Sequence, residues 1–292
     1  MYLETDLVQE AAELLRASPE DPGRLSGVST REYLQEGLPV QEVRIFNETG
    51  AQTIGKPQGT YLTLTLQRGE DPERDYFRRV SGAIAGGIQG LLSLKAEDSV
   101  LVVGLGNRSV TPDALGPLAA DHTVVTRHLV AHLPETFGDF RPVAAMTTGV
   151  LGNTGLESGE LVAAVCDHLH PAAVIAVDAL AARSASRLGT TIQLSNTGIV
   201  PGSGVGNHRK ALNQETLHVP VLAVGVPTVI RAAALCADLG GKPEEQERLQ
   251  HLVVTPKEID SLIGFLSRVV GTGISLALQE GLTMEDVEVL LS

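Results

Sequence analysis

Between residues 5 and 16 the apolar positions Leu7, Ala11, Leu14 and Leu15 recur at helical spacing, which predicts an amphipathic helix. A polar stretch with Pro and Gly at 18–27 ends that pattern and reads as a loop. Residues 40–46 and 60–66 then alternate and are β-branched, as half-buried strands are, around the turn-rich run NETGAQTIGKPQG. Helical spacing returns over 75–94, weakened by Gly82, Gly86 and Gly87. From residue 99 the rhythm becomes strand, loop, helix. Apolar runs at 99–103, 173–177 and 219–224 predict strands, and helices are expected over 114–132, 157–168 and 256–279. Such alternation builds an α/β fold, a mostly parallel sheet flanked by helices. We expect one domain, with an additional N-terminal β-containing region at 7–95 and the main α/β core at 96–292. The acidic stretch 242–248 reads as a solvated insert or a helix start.

Composition narrows the function classes. The 292 residues are 43% hydrophobic and 20% charged, ordinary for a globular chain. Aromatics are only 3% and Trp is absent, so the core must be aliphatic. A net charge of −13 and a pI near 5.0 argue against direct nucleic-acid binding, which needs concentrated Lys and Arg. Cys166 and Cys236 stand far apart without metal-site spacing and read as buried thiols of a reducing compartment. The acidic, amphipathic N-terminus is unlike a signal peptide. The longest apolar region, 219–237, is interrupted by Gly225, Pro227 and Arg231, so no membrane span is expected. These features point to the cytoplasm.

Two segments carry the chemistry: LVVGLGNRSVTPDALGP at 101–117 and AVIAVDALAARS at 173–184. Each delivers one carboxylate, Asp113 or Asp178, at or just past the C-terminal end of a predicted strand. In open α/β sheets, ligands bind at that edge. Thr111-Pro112-Asp113 also reads as a plain helix start, with Thr111 as N-cap. Asp178 equally suits a structural ion pair with Arg183. If the two aspartates meet, they can share a proton, one activating water while the other protonates the bond attacked. Gly104-Leu105-Gly106 is no dinucleotide fingerprint, since Ser109 stands at the third glycine and no acid closes a second strand. The loop NTGIVPGSGVGN at 196–207 can turn backbone amides toward an anion or a peptide oxygen, but lacks a P-loop ending. Ser203, near His208, lacks the G-x-S-x-G elbow of a nucleophile. His128 and His132 are spaced as helical metal ligands, without the HExxH pattern.

GLGNRSVTPDALGP, VTRHL, DALAARS, the glycine-rich loop, VPVLAVGVPTVI and LVVTPKEID together resemble the germination protease family of spore-forming bacteria. Weaker matches at NETGAQTIGKPQGTYLTL and TDLVQEAAELL extend the likeness over nearly the whole chain. The resemblance implies an atypical aspartic endopeptidase with a fold similar to the hydrogenase-maturation peptidases. Its catalytic pair would be Asp113 and Asp178, with no cofactor and no metal. The substrate cleft would draw on Asn107, Arg183, Gly202, Ser203, Gly204 and Asn207. The implied substrates are small acid-soluble spore proteins, degraded in the spore core by a homotetramer made as a self-cleaving precursor. Family substrates are cut in sequences like Thr-Glu-Phe-Ala-Ser-Glu, after the acid. Thr5-Asp6-Leu7-Val8-Gln9-Glu10 has the same order of residue types, which places self-processing between Asp6 and Leu7 and makes 1–6 a short pro-segment. Thr5 also suits a helix N-cap, with Asp6 complementing the helix dipole.

Two other readings stay open. One is a metal-dependent or metal-sensing peptidase of the hydrogenase-maturation type, with the same aspartates as ligands and His128 as a third. The other is a non-enzymatic peptide- or anion-binding module whose aspartates are structural.

Overall fold

The computed structural model describes residues 5–16, 26–67, 74–202 and 209–291. Among these, nine strands form one sheet: β1 (Val28–Gln35), β2 (Leu38–Ile45), β3 (Gly59–Thr65), β4 (Val100–Gly104), β5 (Val143–Thr147), β6 (Ala173–Ala182), β7 (Thr191–Ser195), β8 (Val221–Arg231) and β9 (Val253–Val254). Their order is β1-β2-β3-β7-β8-β6-β4-β5, with β9 added beside the end of β8. The half β5-β4-β6-β8 is parallel, and β7-β3-β2-β1 continues it antiparallel. The N-terminal strands thus extend the same sheet as the core. The helices are α1 (Val8–Arg16), α2 (Glu48–Ile54), α3 (Arg74–Leu91), α4 (Leu115–Asp121), α5 (Arg127–His132), α6 (Pro134–Phe137) and α7 (Leu151–Thr154). They continue with α8 (Ser158–Leu169), α9 (Gln214–Leu217), α10 (Ala232–Asp238), α11 (Pro243–Leu249), α12 (Ile259–Leu278) and α13 (Met284–Leu290).

Strand alternation sends Val100, Val102, Ile175, Val177, Ile192 and Leu194 to one face, where they pack against α3, α4 and α12. On length and composition α12 could cross a membrane, yet 67% of that stretch is buried inside the protein. The other face is covered in pieces. Val43, Ile45 and Tyr61 lie under α1 and α2, while Leu101, Val103, Val174 and Ala176 lie under α8 and α9. Asp178 and Gln193 face the gap between these two covers.

Several expectations need correcting. The helix expected over 114–132 is a 3-10 turn (Thr111–Asp113) followed by α4 and α5, because the chain at Val124 is pulled onto Ser275 of α12 by a 2.9 Å amide–hydroxyl bond. Thr111 is not an N-cap: Val110 holds that position, without a side-chain cap. The strand predicted at 173–177 runs on to Ala182, so Asp178 lies inside it, one residue beyond the last one paired to β4. Likewise β8 runs to Arg231. Strands β1, β5 and β7 and helix α2 went unanticipated. Pro243–Leu249 is a helix, as one of its two readings had it.

Candidate active site

Asp113 and Asp178 come from neighbouring strands whose onward connections leave in opposite directions. From β4 the chain goes to β5 at the sheet edge, then returns on the opposite face to β6. Such a switch point opens a crevice at the C-terminal strand ends. Gly104, Gly106 and Gly116 close this corner. A Cβ on Gly104 would meet the Gly116 carbonyl, one on Gly116 the Leu105 and Val177 carbonyls, and one on Gly106 the Asp113 carbonyl. The glycines of Gly104-Leu105-Gly106 therefore serve backbone packing. The 3-10 turn is pinned at its centre, where the Thr228 hydroxyl donates to the Pro112 carbonyl at 2.7 Å.

Both carboxylates line one cavity of about 250 Å³, together with Asp6, Gly202, Arg209 and Thr228. Asp178 is 5% exposed, and its Oδ1 accepts the Ala179 amide at 2.9 Å. Burial holds its carboxyl well above the usual carboxylate range, and the nearby Asp113 charge pushes it further. Asp113 is half-buried and accepts the Asn107 amide at 2.8 Å. Burial raises it too, while that amide and the Arg209 charge pull it down. A pair so arranged holds one proton more readily on Asp178 than on Asp113.

The chain's own N-terminal segment enters this cavity. Asp6 donates its amide to the Ala181 carbonyl at 3.1 Å, and its Oδ2 accepts the Ala181 amide at 2.9 Å. Gln193 clamps the next peptide, donating to the Asp6 carbonyl at 3.2 Å and accepting the Val8 amide at 2.7 Å. Between these two points Leu7 is fully buried against Leu180, Ala182, Leu188 and Ile230. The Thr5 hydroxyl accepts the Leu7 amide at 3.1 Å and donates to Glu10, and the helix starts only at Val8. Half-buried Lys56 has its ammonium pKa lowered by burial, with the Asp6 charge partly restoring it.

Of the sequence candidates, Asp113, Asp178, Asp6 and Gly202 line the cavity. Asn107 acts through its main chain, and its side chain accepts the Ser109 amide at 3.0 Å. Arg183 is not the ion partner of Asp178: it lies beyond the end of β6 and reaches Asp238 at 3.6 Å. Ser203, Gly204 and Asn207 lie outside the described residues. His128 sits on α5 and is not among the cavity residues, and no three His, Cys, Asp or Glu side chains among the described residues are grouped to hold a metal. Sequence reasoning missed Gln193, Arg209 and Lys56. Only Arg209 carried a signal, as the first cation after the glycine-rich loop.

Fold and site thus define an α/β protein with an acidic cleft at a topological switch point. The chain belongs to the germination protease family, whose profile matches residues 5–239. It is a protease, a hydrolase of peptide bonds, and the family ties it to spore germination. It is 42% identical to a germination protease of Caldanaerobacter subterraneus subsp. tengcongensis, over 99% of this chain and 98% of that one. Germination proteases of Clostridium tetani (37% identical, all of both chains) and Bacillus cereus strain G9842 (35%, 97% and 95%) are similar. Among solved structures, the [NiFe] hydrogenase maturation protease HycI from Thermococcus kodakarensis matches with a TM-score of 0.37 and 17% identity, covering 66% of this chain and 98% of that one.

Proposed function

We propose that this protease cuts small acid-soluble spore proteins after an acidic residue and before a large apolar one, using Asp113 and Asp178 to drive water onto the peptide bond. The observation that carries the reading is the occupied cleft: two raised carboxylates and the chain's own Asp6 line one cavity. Asp113, the more exposed and less raised of the two, takes a proton from water as its oxygen attacks the carbonyl carbon. Asp178 gives its proton to the carbonyl oxygen, forming a neutral tetrahedral intermediate. The C–N bond then breaks, the proton held by Asp113 passes to the departing amine, and a hydroxyl proton returns to Asp178. The clamping of Asp6 by Gln193 and the Ala181 main chain supports self-processing between Asp6 and Leu7 in the same cleft.

The test is mass spectrometry of a purified small acid-soluble spore protein after incubation with the enzyme. A single cut on the carboxyl side of an acid is expected, unaffected by chelator. It should slow by roughly a thousandfold or more in Asp113→Asn and in Asp178→Asn, both still folded. Undiminished cutting by either variant rejects the assignment of the pair. Loss of cutting with chelator would favour a metal bound at these carboxylates.

A further inference from the structure

Strand β8 runs between β7 and β6, and Pro227 within it has no N–H to give to either neighbour. Prolines inside sheets sit at edges or bulges. Here the pairing slips just after the proline: Leu180 of β6 is opposite Pro227, but Ala181 is opposite Val229. Thr228 is therefore an extra residue on β8, a bulge of the kind that re-aims a side chain. It is fully buried, and its hydroxyl donates to the Pro112 carbonyl at 2.7 Å. From the other side the Thr255 hydroxyl donates to the Thr228 carbonyl at 2.9 Å, which holds the bulge in place. The peptide group that Thr228 grips is the one leading into Asp113. Its other end, the Asp113 amide, donates to the Val110 carbonyl at 2.8 Å, and the carboxylate beyond accepts the Asn107 amide at 2.8 Å. Of these three bonds only the one from Thr228 is made by a side chain. It alone ties the turn to β8, where Gly225 is registered with Asp178.

We propose that Thr228 is the positioning residue for Asp113: the bulge aims its hydroxyl at the Pro112 carbonyl and so fixes where the Asp113 carboxylate stands opposite Asp178. The two carboxylates reach the cavity from unequal supports, Asp178 from inside β6 and Asp113 from a three-residue 3-10 turn without a side-chain cap. The hydrogen bonds of a 3-10 turn are poorly aligned, so such a turn needs an outside anchor. β-Branching stiffens the Thr228 side chain and keeps its hydroxyl aimed. Catalytic groups tolerate little misplacement, and an error of about 1 Å can cost a hundredfold in rate. The inference rests on Asp113 and Asp178 being the catalytic pair, with Thr228 acting on the reaction only through the backbone of Asp113.

The test compares Thr228→Val, which keeps the shape and removes the hydroxyl, with Thr228→Ser, which keeps the hydroxyl. Each is made in the full chain and assayed on a purified small acid-soluble spore protein, with thermal melts to establish folding. Thr228→Val should lower kcat by about ten- to a hundredfold with KM within about twofold of the parent, and Thr228→Ser should recover most of the loss. A folded Thr228→Val with the parent's kcat overturns the proposal, whatever its melting temperature. So does a loss confined to KM, which would make Thr228 a substrate contact, and so does a serine variant as slow as the valine one. If the valine variant does not fold, Thr228→Ala removes the hydroxyl without setting a methyl against the Pro112 carbonyl and is read in the same way. Asp113→Asn measured beside them separates the two readings. A slow Asp113→Asn with an unimpaired Thr228→Val rejects the positioning role alone. An unimpaired Asp113→Asn rejects the catalytic pair, and the role of Thr228 with it.

Discussion

Replacing Asp178 by Asn keeps the shape of the side chain and removes its charge, which isolates what burying that charge costs. An unfolded chain ionises this carboxyl near the ordinary value of about 4, whereas the folded protein keeps the proton to higher pH. Between those values the native state binds more protons than the unfolded one, so stability falls as pH rises. Asp178→Asn escapes that loss. In thermal melts the variant should be more stable than the parent by roughly 1–3 kcal/mol at about pH 8, with the gap closing near pH 4. A gap that widens in acid would mean that burial is not what raises this carboxyl. At this scale the sequence was informative where chemistry and position coincide. Asp113 and Asp178 each follow an apolar run, and a carboxylate there has few structural uses. Gln193, Lys56 and Arg209 come from separate segments, and only the folded sheet brings them to the cleft. Nothing in TIQLS marks Gln193 as a clamp: its role comes from Gly225, which is registered with both Gln193 and Asp178 across β8.

Elements were legible where periodicity was strong and hidden where local signals were short. The edge strand β1 is mostly exposed and half-exposed, so its sequence VSTREYLQ gives little apolar contrast. The five-residue strands β5 and β7 are too short to outweigh their polar flanks. Helix α2 did carry its punctuation, Asn47 accepting the Gly50 amide at the start and Gly55 in the left-handed region at the end. Both were absorbed into a run that read as turns. The β4–α4 corner depends on glycine. Gly116→Ala should destabilise the protein by about 3 kcal/mol or more, since only backbone atoms can give way. Gly90→Ala, in open space near the end of α3, should instead add up to about 1 kcal/mol. Chemical denaturation of the two variants checks both signs. Equal effects would mean that the corner relaxes more freely than its backbone contacts allow.

Across the whole molecule, one sheet carries both the parallel half that bears the aspartates and the antiparallel half against which α1 packs. The α/β class was legible from the strand–helix rhythm, and so were the strand ends that carry the two aspartates. The antiparallel extension was not, because pairing between distant strands leaves no local trace. Anchoring α1 on that half places residues 5–7 over the cleft, which gives the proposed self-processing a kinetic signature. The N-terminal fragment ending at Asp6 should be released at a rate independent of protein concentration, and Asp178→Asn should abolish its release. Time courses by intact-mass spectrometry at a tenfold dilution should superimpose. A rate that grows with concentration would mean that one molecule cuts another. The seated segment also behaves as a ligand whose local concentration its tether fixes, on the order of millimolar or higher. A peptide from solution is diluted against that tether and loses apparent affinity in the same ratio. Were the bond after Asp6 cut, the fragment carrying Asp6 would diffuse into bulk and stop competing. Glu10, still joined to α1, would keep the Arg183 and Ser184 amides, so such a cut frees the Ala181 end of the cleft and leaves the far end covered.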